Sequence, residues 1–127
     1  MVKRVLIIDD DEDIREVAKM ALETTAGWQV ETKGDGPSGL QAAREDPPDA
    51  ILLDYMMPGM DGMGALQELK GDPATKQVPV VVFTAKTDSG LSNRLREAGA
   101  TGQVAKPFDP MALAEKIEGL LGWKRTG

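Results

Sequence analysis

Apolar and polar positions follow two rhythms along this chain. Five short runs, Val5 to Ile8, Trp28 to Thr32, Ala50 to Leu53, Val78 to Phe83 and Gln103 to Ala105, are continuous or alternate with period two, and they predict strands. Between them, apolar residues recur at helical spacing. They are Ile14, Val17, Ala18, Ala21 and Leu22, then Leu40 and Ala43, then Leu66 and Leu69, then Leu91, Leu95 and Ala98. Met111, Leu113, Ala114, Ile117, Leu120 and Leu121 complete a fifth such face. Punctuation agrees with these boundaries. Asp109-Pro110 reads as a helix cap followed by proline in the first turn, where a missing N–H costs nothing. Asp46-Pro47-Pro48 and Asp72-Pro73 stop the second and third helices, and Gly99 and Gly122 follow the fourth and fifth. Strand and helix alternating five times predict an α/β fold, a parallel sheet covered on both faces by right-handed crossovers. Binding sites in such sheets lie beyond the carboxyl ends of the strands.

Length and composition narrow the chemistry. The 127 residues suit one domain, read as residues 1–122 with a short tail at 123–127. There is no cysteine and no histidine, which removes disulfides, thiolate and imidazole ligands, and the usual general base. A net charge of −6 disfavours direct nucleic-acid binding. The apolar stretch near Met1 is too short for a signal peptide or membrane span, so a soluble, cytoplasmic protein is expected.

The predicted strand ends carry Asp9 and Asp10, Asp54, Thr84 and Lys106. Asp11, Glu12 and Asp13 read as charge stabilising the start of a helix through its dipole. Asp54 is different, because no helix begins until Asp61-Gly62 and it has nothing near to cap. Carboxylates ~4 Å apart repel by roughly 4 kcal/mol at an effective dielectric near 20, so a cation is expected among Asp9, Asp10 and Asp54. Few carboxylates with room for water favour Mg²⁺ over calcium. Lys106 supplies a second positive charge, Thr84 a hydroxyl, and Ala85 a backbone N–H. These parts describe phosphoryl transfer with the acceptor inside the protein. Asp54 would be the nucleophile, already ionised at neutral pH and needing no base.

In the motifs IIDDDED, LLDYMMPGMDG, VFTAK and VAKPF, in this order and spacing, the chain resembles the receiver domain of bacterial two-component response regulators, the CheY-like family, from Lys3 to about Leu121. The resemblance implies a flavodoxin-like (βα)₅ fold with strand order 2-1-3-4-5, a doubly wound order for which CheY is itself a standard example. It implies that Asp54 accepts a phosphoryl group from a phosphohistidine on a sensor histidine kinase or phosphotransfer protein. It further implies Asp10 and Asp54 as direct Mg²⁺ ligands, Asp9 acting through water, and Met56 contributing its backbone carbonyl. Thr84 and Lys106 would contact phosphoryl oxygens, Lys106-Pro107 would be cis, and Gly62 would close the loop. By the same resemblance the protein is not an enzyme beyond losing its own phosphoryl group. It would be a monomer or weak homodimer, passing its signal to a protein docked on the fourth helix, fifth strand and fifth helix.

Two positions depart from the family pattern. Gln103 replaces the Tyr or Phe common three residues before the lysine, so readout through the fourth helix and fifth strand is expected to differ. Met56, two residues after Asp54, and Lys86, two after Thr84, occupy positions that tune hydrolysis; Met56 cannot orient a water, which predicts a long-lived phosphorylated form. Rival readings fare worse. An aspartyl-phosphate hydrolase wants a second acid where Met56 stands, and a nucleotide or flavin binder wants glycines where DDDED stands. An interaction module that is never phosphorylated remains the alternative.

Overall fold

The computed structural model describes residues 2–85 and 89–123, the side chain of Ser89 apart. Five strands, β1 (Arg4–Ile8), β2 (Gln29–Lys33), β3 (Ala50–Asp54), β4 (Val80–Thr84) and β5 (Gly102–Ala105), form one parallel sheet in the order β2-β1-β3-β4-β5. The helices between and after them are α1 (Glu12–Ala26), α2 (Gly36–Glu45), α3 (Gly62–Gly71), α4 (Ser89–Glu97) and α5 (Leu113–Leu121). This is the flavodoxin-like arrangement predicted from the sequence.

Period-two geometry sends successive strand residues to opposite faces, and the faces carry separate cores. Leu6, Ile8, Ile51, Leu53, Val80 and Val82 pack under α2, α3 and α4 through Leu40, Leu66, Leu69, Leu91 and Leu95. Val5, Ile7, Leu52, Val81, Phe83 and Val104 pack under α1 and α5 through Ala18, Leu22, Leu113 and Ile117. Burial of whole strands on both sides explains why they read as apolar runs rather than strict alternation.

Three sequence expectations shift. The fourth strand begins at Val80 rather than Val78, because Pro79 has no N–H to give the ladder and Val78 N–H instead closes a turn on the Thr75 carbonyl (2.9 Å). Met111, expected on the buried face of the fifth helix, is 74% exposed. It lies in a 3₁₀ turn, Pro110–Ala112, whose tighter winding breaks the α-helical period before Leu113. Val17, at the margin of the α1 stripe, is also exposed. With Met20, Ala21 and Pro110 these two side chains line an apolar groove of ≈ 340 Å³ between α1 and the 3₁₀ turn.

Aspartates cap α1, α2, α3 and the 3₁₀ turn. Asp11 Oδ1 accepts from the N–H groups of Asp13 (2.9 Å) and Ile14 (3.2 Å), and Asp61 Oδ1 accepts from Gly64 N–H (2.8 Å). Asp109 Oδ1 accepts from Met111 N–H (3.0 Å), as the Asp109-Pro110 signal anticipates.

Candidate functional site

Strand register brings the acids together. Ile8 pairs with Leu53, so the residues that follow, Asp9 and Asp54, sit side by side at the carboxyl edge of the sheet. Thr84 pairs with Ala105, placing Lys106 one step beyond, where its N–H donates to the Thr84 carbonyl (3.0 Å). Asp9 is fully buried and Asp54 is 4% exposed, whereas Asp10 faces solvent. One oxygen from each of these three carboxylates lies within 4.8 Å of the others.

Lys106 is the counter-charge. Its Nζ donates to Asp9 Oδ2 (2.7 Å) and to Asp54 Oδ1 (3.2 Å). It also lies 5.8 Å from the ring centre of Phe83, within cation–π range. Asp9 Oδ1 accepts from Asp11 N–H (2.9 Å), and Asp54 Oδ1 accepts from Met56 N–H (3.3 Å). Burial, then the neighbouring charge of Asp9, push Asp54 up to about 6 against the opposing pull of Lys106 and the Met56 N–H. For Lys106, burial lowers the pKa, but the hydrogen bond and charge of Asp9, with those of Asp54, outweigh it and leave the ammonium above its ordinary value.

The loop after β3 is tightly held. Gly62 N–H donates to the Tyr55 carbonyl (2.7 Å), and a Cβ on Gly62 would stand 2.5 Å from Tyr55 Cα and 2.9 Å from the Asp54 carbonyl oxygen. Only glycine allows α3 to start against the backbone that carries Asp54. Met60 packs over the start of α2, while Met56 points into solvent, 64% exposed.

The remaining sequence candidates fall around this pocket. Thr84 is buried at the end of β4 and Ala85 is exposed beside it; Lys86 lies outside the described residues. The Lys106-Pro107 peptide is cis, as expected. Phe108, which follows, stacks on Phe83 with ring centres 5.3 Å apart. Gln103 is half-buried on β5, and its Oε1 accepts from Ser92 Oγ of α4 at 3.4 Å. An amide link to α4 therefore stands where an aromatic ring was the familiar occupant.

Arg15 was missed by sequence reasoning. Its Nη1 donates to the Asp9 carbonyl (2.7 Å), and its guanidinium lies against Gly34. Helical spacing shows only that Arg15 stands one turn after the capping Asp11, and it says nothing of a main-chain partner.

The donor set suits a hard divalent cation, since all candidate ligands are oxygens and two of the carboxylates are buried around one ammonium. Asp9, Asp10 and Asp54 are the residues that could hold such an ion. A fully buried Asp9 whose ammonium partner is itself 19% exposed gives a pocket closed beneath and open to solvent above.

The family model for the response regulator receiver domain matches residues 5–118. The chain belongs to that family. As a receiver domain it is 40% identical over 124 residues to the response regulator PleD of Caulobacter vibrioides, covering 98% of this chain and 27% of that protein. It is 34% identical to a probable chemotaxis protein CheY of Rhizobium etli, covering 94% of this chain and 92% of the relative. The structure of chemotaxis response regulator CheY4 of Vibrio cholerae superposes with a TM-score of 0.89 at 30% identity, over 94% of this chain and 99% of that one. The receiver thus spans about a quarter of PleD and nearly all of the chemotaxis relative. Among the described residues no helix is long and apolar enough to cross a membrane.

Proposed function

We propose that this receiver is the phosphoacceptor of a two-component system or phosphorelay, with Asp54 taking a phosphoryl group from a phosphohistidine on a sensor kinase or phosphotransfer protein. The observation that carries this is the convergence of Asp9, Asp54 and Lys106, with Nζ at 2.7 and 3.2 Å from the two buried carboxylates.

Asp54 presents a carboxylate oxygen to phosphorus; the P–N bond breaks and the imidazole leaves with the electron pair. Lys106, released from part of its pairing, neutralises charge on the incoming phosphoryl oxygens, and the Thr84 hydroxyl and Ala85 N–H donate to them. Asp9 and Asp10 would hold Mg²⁺ with Asp54 and the Met56 carbonyl. When bound, the ion supplies neutralisation of the transferring group. Asp9, fully buried and fixed by Asp11 N–H, keeps its orientation throughout.

The protein then acts as a switch rather than as an enzyme on an external substrate. Its signal leaves through a partner docked on α4, β5 and α5, in the cytoplasm, with the receiver a monomer or weak homodimer. Incubation with Mg²⁺ and acetyl phosphate followed by intact-mass measurement is the test. One phosphoryl mass is expected, absent in Asp54→Ala. No gain in the unaltered protein would leave a docking module as the reading.

A further inference from the structure

The exposed large apolar side chains include three methionines, Met20, Met56 and Met111, at 69%, 64% and 74% exposure. Met20 and Met111 line the groove between α1 and the 3₁₀ turn. Met56 stands elsewhere, on the loop that rims the carboxylate pocket, with its own N–H on Asp54 Oδ1. The other methionines of that segment are less open: Met57 is buried in the core, and Met60 and Met63 are partly buried against it.

A thioether is a weak acceptor and cannot hold a water in line with a group on Asp54. Its sulfoxide is polar and accepts hydrogen bonds well. We propose that Met56 is a site of reversible oxidation by hydroperoxides, and that its sulfoxide shortens the life of the phosphoryl group on Asp54. This rests on Asp54 being the phosphoacceptor.

In the oxidation step, sulfur gives an electron pair to one peroxide oxygen and the S–O bond forms as the O–O bond breaks. Sulfur is oxidised by two electrons, and the peroxide is reduced to water or an alcohol, which keeps the peroxide's protons. In the second step a water hydrogen-bonded to the sulfoxide oxygen attacks phosphorus. The bond between phosphorus and the Asp54 oxygen breaks, Asp54 departs as a carboxylate with the electron pair, and the water's proton leaves with inorganic phosphate. Sulfoxide reductases return the thioether, which makes the change a setting rather than damage.

The test uses the full chain with Met20→Leu and Met111→Leu, treated with hydrogen peroxide, mapped by peptide mass, and phosphorylated with acetyl phosphate and Mg²⁺. After donor removal, decay of the phosphorylated mass should be about fivefold faster with the sulfoxide at Met56, the rate equivalent of one net hydrogen bond. Reductase treatment should restore the slower decay. Adding Met56→Leu should make decay insensitive to peroxide, whatever its own rate. A sulfoxide mapped to Met56 with unchanged decay overturns the proposal, as does an equal acceleration in the Met56→Leu protein or a Met56 that peroxide leaves unmodified. No phosphoryl mass on the untreated protein overturns it together with the phosphoacceptor reading, whereas a mass gain with any of those outcomes overturns it alone.

Discussion

Asp54 is held at a cost that the metal-free fold must carry. Its carboxyl keeps a proton to about pH 6 in the folded state, against 3.8 ordinarily, because it is buried beside Asp9. Between those values the folded state binds more protons than the unfolded chain, so stability falls as pH rises through the window and the loss is complete above it. Asp54→Asn is therefore expected to be more stable than the unaltered protein at pH ~7.5 without metal. Urea midpoints should converge as pH is lowered through that window; a gap that widens on acidification would contradict the assignment. Lys106 acts in the opposite sense. Replacing it with methionine leaves Asp9, fully buried, without its ammonium, an uncompensated charge expected to cost ~3–5 kcal/mol in denaturant unfolding. Adding Asp9→Asn to Lys106→Met should recover most of that loss, a coupling that a double-mutant cycle measures directly.

Elements place these side chains, and their legibility in the sequence was uneven for physical reasons. β1 and β3 were visible as apolar runs ending in acid, because strands buried on both faces cannot hide polar residues in their middle. The pocket followed from that, since parallel strands must deliver their last residues to one edge. Val78 was misplaced because hydrophobicity alone does not register the missing N–H of Pro79. Met111 was misplaced because a 3₁₀ turn and an α-helix start with the same cap and proline. Arg15 was overlooked because its role is to a backbone carbonyl, which no side-chain pattern records. Gly62 shows the reverse case, a single residue whose identity controls how α3 meets β3. Gly62→Ala should push its Cβ against the Tyr55 and Asp54 backbone, costing ~1–3 kcal/mol and displacing the carboxylate. Mg²⁺ titration by calorimetry should show weakened binding, where an unchanged affinity would mean that the loop adapts without moving Asp54.

At the scale of the whole molecule, function is concentrated at one pole of the sheet. Asp9, Asp54, Thr84 and Lys106 share the carboxyl edge, while the opposite edge is occupied by Trp28, just before β2, and Trp123, just after α5. The two indoles meet edge to face with ring centres 5.2 Å apart, and Lys3 Nζ lies 4.7 Å from the Trp123 ring centre. Five-residue strands separate the poles by ~17 Å. These are the chain's only tryptophans, beside a single tyrosine, Tyr55, that adjoins Asp54. The chain therefore carries two native optical reporters that listen to different events. Tryptophan emission should change sharply on unfolding in urea and stay nearly constant while Mg²⁺ is titrated, so any stabilisation by the ion will appear as a shifted midpoint rather than a changed starting signal. The share of emission that is excited in the band common to both side chains, and lost at the red edge where tryptophan alone absorbs, is the channel in which the pocket itself can be heard through Tyr55.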